Sequence, residues 1–260
     1  MKSYPKILCL LTMCFLILPA CVSTKPLSPT PLVTSTLAPT TSPTLSPLTA
    51  AQNLHWFGYN ASLLYHGSQN IYFDPVVLSG DPPPADLILI THSHTQAFSP
   101  EDIKKIITPE TTVIIGPNVT VLYALYQDEL GVPAIVLNEG ERTNVKGIEV
   151  EATHVVENPS HLPATGIIGF IVTIDGIRIY HAAETLYYPE MANYSPDITI
   201  YSVFSELGDD EIEQFVHGLQ TNILIFARIP PSLAQIYADR YNQQGLPIQF
   251  FVPPTGPYKP

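Results

Sequence analysis

Apolar and polar positions fall into short blocks from residue 54 onward, and the period of the blocks changes along the chain. Residues 54–73, LHWFGYNASLLYHGSQNIYF, read as successive short strands with Asn and Gly at the turns, ended by Asp74-Pro75. After the loop at 81–84 comes an apolar run, residues 87–91, bounded by loops, as in a strand covered on both faces. Ser99-Pro100-Glu101-Asp102 starts a helix, with Ser as cap and Pro at the first helical position. A strand at 112–115 and a helix over 118–130, stopped by Gly131, come next. Strands follow at 134–137 and 147–153. Residues 167–174 and 177–180 flank Asp175-Gly176, a hairpin signal. Beyond a strand at 198–201, residues 209–219 put Ile212, Phe215, Val216 and Leu219 on one helical face. A strand at 223–226, a helix near 231–243 and a strand at 248–252 close the chain. There is no short fixed repeat. Strands with interspersed helices predict an α/β chain of sheets packed on each other, with helices outside.

The first 51 residues follow other rules. Lys2 and Lys6 precede a short apolar stretch over 7–18, too short to span a bilayer with ease. It ends in Leu18-Pro19-Ala20-Cys21, which resembles the lipobox of a bacterial lipoprotein signal. That likeness implies cleavage after residue 20, a lipid on Cys21, export and anchoring to a membrane. The other cysteines, Cys9 and Cys14, lie inside the signal, so the mature chain would have neither disulfide nor thiolate ligand. From Val22 to Ala51 the chain is rich in Thr, Ser and Pro, and residues 21–51 are expected to be an extended tether. Residues 52–260 remain as one domain, long enough to bury a sizeable core.

Charge narrows the partners. With 11 basic and 23 acidic residues, a net charge of −12 and no basic patch, a nucleic-acid partner is not expected. The expected partner is a small-molecule substrate or ligand, of a class that the sequence does not specify.

The chemistry concentrates in one stretch, residues 87–98, LILITHSHTQAF. His92 and His94 follow a strand at i and i+2, a spacing that projects both imidazoles to one side of an extended loop. With no mature cysteine, a metal must be held by His, Asp or Glu. ADLILITHSHTQAFSPEDI resembles the metal-binding strand and loop of the metallo-β-lactamase superfamily, whose pattern is His-x-His-x-Asp-His. HLPATGIIGFIVTIDGIRIYHAAETLYYPEM resembles a second signature, a hairpin leading into His-Ala-Gly-Asp-Thr. YFDP and PDITIYSVF fall in the family's order, and the lactonase-like branch that includes ascorbate-6-phosphate lactonase is the nearest likeness. The resemblance covers residues 54 to about 253. It implies a four-layer αβ/βα sandwich with its site at the strand ends between two sheets.

The family holds two metals, and its ligands carry over unevenly. His92 and His94 match the first two. His161 has the matching spacing ahead of Gly169, with His154 as a rival. The bridging aspartate is Glu184, one methylene longer and still able to ligate zinc. The second ion's aspartate is Gln96, its first histidine is Ala97, and its last histidine, after NILIF, is Arg228. The losses remove one ion's own ligands and leave those of the other. The expectation is therefore one zinc on His92, His94, His161 and Glu184, with Glu184 as ligand or catalytic base. Arg228 is expected to pair with Glu184 in the space of the second ion. Four protein ligands would fill a tetrahedral site, as in structural zinc, so catalysis would need Glu184 off the metal. Asp74 and His181 are expected in supporting roles. Two functions fit: a membrane-anchored metallo-hydrolase acting on an ester, lactone or phosphoester, or an inactive descendant kept as a binding module of the cell envelope.

Overall fold

The structure, a computed structural model, describes residues 45–260 apart from 59, 158–165 and 205–206. Cys21, the signal and most of the tether lie outside the described residues, as does His161. The tether expected to reach Ala51 ends sooner. Ser46 caps a short helix, α1 (Pro47–Gln52), by accepting from the Thr49 N–H, and Ala50 and Ala51 are fully buried. Alanine adds no strong mark to a sequence pattern, which is why a folded segment reads as linker there.

The first sheet holds β1 (Leu54–Trp56), β2 (Leu63–His66), β3 (Asn70–Phe73), β4 (Leu87–Ile90), β5 (Thr112–Ile115) and β6 (Ala134–Val136) in chain order. The pairs β1–β2 and β2–β3 are antiparallel, and the rest are parallel. The second sheet runs β13-β12-β11-β10-β9-β8-β7, from β13 (Gln249–Phe250), β12 (Ile223–Ala227), β11 (Ile198–Ser202), β10 (Ile177–His181), β9 (Gly169–Ile174) and β8 (Ile148–Thr153) to β7 (Arg142–Val145). Strands β10 to β13 are parallel to one another, and β7 to β10 antiparallel.

Strand periodicity sorts the side chains. Leu63, Tyr65, Ile71, Phe73, Leu87, Leu89 and Ile114 face the second sheet and share one core with Val150, Val172, Ile179, Ile200 and Ile225. Their neighbours Leu64, Tyr72, Ile88, Ile90, Val113 and Ile115 point the other way, against α2 (Pro100–Ile106) and α3 (Thr120–Leu130). All four residues of β4 are buried, as a strand covered on both faces requires. On the far side α4 (Asp209–Gly218) buries Ile212, Phe215 and Val216, and α5 (Pro231–Asn242) buries Ala234, Ala238 and Tyr241. This is the helix–sheet–sheet–helix sandwich expected. Among the described residues no helix is long and apolar enough to cross a membrane.

The loop after β3 is fastened to α2 by one acid. The Val77 and Leu78 N–H groups donate to the Asp102 carboxylate at 2.8 and 3.0 Å, and Lys105 Nζ reaches it at 2.7 Å. Burial alone would raise the Asp102 pKa, but the Lys105, Ser99 and Val77 donors outweigh it and hold the carboxyl below its ordinary value. Two N–H donors on a charged acceptor give Asp102→Ala an expected cost of about 2–4 kcal/mol. The depressed folded pKa sets the sign. The stabilisation is present above the unfolded value, about 3.9, and is lost as pH falls through the folded one. Urea unfolding at pH 7 and pH 3 should show the gap between wild type and variant closing at the lower pH. In the same loop Val77 adopts φ 57° with 62 % of its surface exposed. A β-branched side chain is strained there and has little packing to lose, so Val77→Gly is expected to add about 1 kcal/mol, read as a higher Tm.

Candidate metal centre

The carboxyl ends of β3 and β4 in one sheet meet those of β10 and β12 in the other. Asp74 follows β3, His92 and His94 follow β4, Glu184 follows β10, and Arg228 follows β12. Three of these turns put a non-glycine residue at positive φ: Asp74 (44°), Ala183 (55°) and Arg228 (64°). Ala183 stands where the resembling family has glycine and keeps the left-handed backbone that glycine would favour. Strain at three strand ends around one spot is a mark of a functional site.

His92, His94 and Glu184 each offer a ligand atom, all within 4.8 Å of one another. His92 Nε2 lies 3.1 Å from Glu184 Oε1, and the His92 and His94 rings stand perpendicular at 4.8 Å between centroids. Both His92 and Glu184 are only 4 % exposed. Arg228 Nη1 approaches the same Glu184 oxygen at 2.5 Å, its guanidinium 5.7 Å from the centre of the Phe204 ring. Burial would raise the Glu184 pKa, but contact with His92 and the charges of His92, Arg228 and His94 outweigh it and hold the carboxyl at about 2. A carboxylate that acidic is a weak base, so of the two roles expected of Glu184 the ligand role suits it and the base role does not.

The donor set fits a metal. His92 Nε2 is buried and, despite its closeness to Glu184, makes no directed hydrogen bond. Ligands about 2.1 Å from one tetrahedral ion stand about 3.4 Å apart, close to the separation of this N···O pair. Two histidines and one glutamate are also the set that leaves a fourth position open. The filled four-ligand arrangement needs His161, outside the described residues. Its rival His154 is elsewhere: exposed, with Nδ1 2.9 Å from Glu139 Oε2 and its ring edge-on to Tyr188.

The positions of the missing second-ion ligands are accounted for differently. Ala97 is completely buried, and its N–H donates to His94 O at 2.9 Å, so an imidazole there would have to displace core atoms. Gln96 lies half-buried in the same turn, where its amide can hydrogen-bond but not act as a base. Arg228 puts a permanent positive charge against Glu184.

Behind the ligands is a layer that sequence reading left vague. Asp74, 2 % exposed, accepts from Thr91 N–H and Thr91 Oγ1, each at 2.8 Å, and Thr91 Oγ1 lies 2.8 Å from His92 Nδ1. His181 Nε2 is 3.6 Å from Asp74 Oδ2 and 3.3 Å from Ala61 O, and its ring stacks on Phe73. Burial lowers the His181 pKa and raises that of Asp74. The signal for Asp74 and Thr91 was their place at the ends of neighbouring parallel strands.

Comparison with known proteins bears on the family and the fold. The model of a family described as β-lactamase superfamily domain matches residues 53–225. A UPF0173 metal-dependent hydrolase of Methanosphaerula palustris is 31 % identical over 163 residues, covering 58 % of this chain and 70 % of that protein. Another from Methanoregula boonei is 29 % identical over 166 residues, covering 58 % and 69 %. Among solved structures, the metallo hydrolase Igni18 of Ignicoccus hospitalis superposes with a TM-score of 0.61 at 17 % identity, over 78 % of this chain and 95 % of that one. The metallo-β-lactamase fold protein YhfI of Bacillus subtilis gives 0.55 at 10 % identity, over 77 % and 93 %. At those identities the structures bear on the fold alone.

Proposed function

The chain belongs to the metallo-β-lactamase superfamily, and from that premise we propose that it is a metal-dependent hydrolase working with a single zinc ion. The observation that carries this is the convergence of His92, His94 and Glu184 at the meeting of the two sheets, with a bare His92 nitrogen among them. Zinc, once bound, supplies a Lewis acid that lowers the pKa of water to about 7. His92 and His94 would bind through imidazole nitrogens and Glu184 through its carboxylate, which leaves the fourth position to water. Arg228 fills the space of a second ion. It keeps Glu184 ionised and offers a fixed positive charge to an oxyanion developing beside it. Gln96 orients water or substrate by hydrogen bonding and takes no proton.

The substrate class that fits is an ester, lactone or phosphoester, by analogy with the lactonase-like branch that the sequence motifs resemble. Export on a lipoprotein signal and anchoring through Cys21 would place the reaction outside the cytoplasm. A Cys21→Ser chain that still partitions with membranes would remove that part.

Zinc-loaded protein should hydrolyse at least one member of a panel of lactones, carboxylate esters and phosphoesters, and His92→Ala should abolish it. A second reading has its own support. Arg228, at 2.5 Å from Glu184, competes with any ion for that carboxylate, as befits an inactive binding module of the cell envelope. Stoichiometric zinc with no turnover across the panel favours that reading.

A further inference from the structure

The donors around Asp74 settle where the protons lie. The Ala183 N–H donates to His181 Nδ1 at 3.3 Å, so that nitrogen is an acceptor and the His181 proton sits on Nε2, facing Ala61 O and Asp74. Thr91 N–H and Thr91 Oγ1 also approach the Asp74 oxygens, each at 2.8 Å. The Thr91 N–H and hydroxyl each donate to one oxygen of this carboxylate, Oδ1 and Oδ2, while His181 Nε2 bonds to Ala61 O and stands 3.6 Å from Oδ2. The Thr91 hydroxyl has one hydrogen, and Asp74 takes it. At 2.8 Å from His92 Nδ1 the Thr91 oxygen can then only accept.

We propose that Thr91 is a positioning residue: its hydroxyl, turned by Asp74, holds His92 as the Nδ1–H tautomer and leaves the Nε2 lone pair facing Glu184 and His94. The more common tautomer of a free imidazole carries its proton on Nε2, where it would block a metal. The buried chain His181–Asp74–Thr91–His92 thus fixes from one sheet to the other which nitrogen is bare. This rests on the metal reading only for its consequence; the tautomer itself is a property of the metal-free chain.

The test is nitrogen-15 NMR of histidine-labelled, metal-free full chain at pH of about 8.5, where free imidazoles are neutral, with His92→Gln to assign the signal. Wild type should show His92 protonated on Nδ1. Thr91→Val, which keeps the shape and removes the hydroxyl, should move the proton to Nε2, and Thr91→Ser should restore it. Chelator competition should show zinc affinity down about 10–100-fold in Thr91→Val and near wild type in Thr91→Ser. His92 protonated on Nε2 in wild type overturns the proposal, and that spectrum decides even if the valine variant does not fold. An unshifted tautomer in a folded Thr91→Val also overturns it. If the tautomers behave as stated but wild type binds no zinc, the metal reading fails and the relay stands.

Discussion

Arg228→Ala is expected to weaken the metal-free protein by about 3–5 kcal/mol while tightening its hold on zinc at least about tenfold. Both effects come from one contact. Glu184 and Arg228 are 4 % and 10 % exposed and 2.5 Å apart. Removing one member of a buried pair strands the other's charge away from water. Two unit charges 4 Å apart interact by about 4 kcal/mol at an effective dielectric of 20, and a dication near the guanidinium is repelled accordingly. With the arginine gone, zinc becomes the partner that Glu184 lacks, so saturating zinc should recover most of the lost stability. The stoichiometry should stay at one, because Gln96 and the buried Ala97 still supply no second-ion ligands. Urea unfolding with and without zinc, beside chelator competition, measures both effects. An unchanged affinity would show that Arg228 does not oppose the ion.

Glu184→Ala should do the opposite to zinc and the same to the fold. The stranded charge is now Arg228, again at about 3–5 kcal/mol. Here zinc cannot repair the loss, since one of the three ligands is gone, and its affinity should fall more than about 100-fold. Glu184→Gln separates charge from shape: it keeps the volume, loses the ion pair and should bind zinc nearly as poorly as alanine. Affinity retained in either variant would remove Glu184 from the ligand set.

The pair of predictions turns on features of unequal legibility. The long apolar runs needed no structure: β4, β9, β10, β11 and β12 stand where the sequence reading puts them, because burial on both faces writes a continuous signal. Weak signals failed. The edge strand β7, Arg142–Val145, is mostly exposed and carries no apolar run. The helix α1 is marked only by Ser46-Pro47 and buried by two alanines. At the end of the chain 248–252 shortens to Gln249–Phe250, since β13 has only one neighbour to pair with.

The site divides the same way. His92 and His94 could be found because their spacing is local, and Glu184 and Arg228 because motif order places them after strands. What could not be read is what depends on three dimensions: that Arg228 and His92 converge on one oxygen of Glu184, that Asp74 joins His181 to Thr91, and that Val77 is held strained by Asp102. Backbone φ at a non-glycine residue leaves no trace in composition, and a buried hydrogen bond between distant strands leaves none in periodicity.

The central claim is that this site takes one metal ion. The direct measurement is zinc content by mass spectrometry, after dialysis against trace zinc, of the chain from residue 41 onward, the larger of its two compact units. It is run beside the double variant His92→Ala, His94→Ala. The account predicts about one zinc per wild-type chain and none in the variant. Zinc in neither protein, or two ions per wild-type chain, would contradict it.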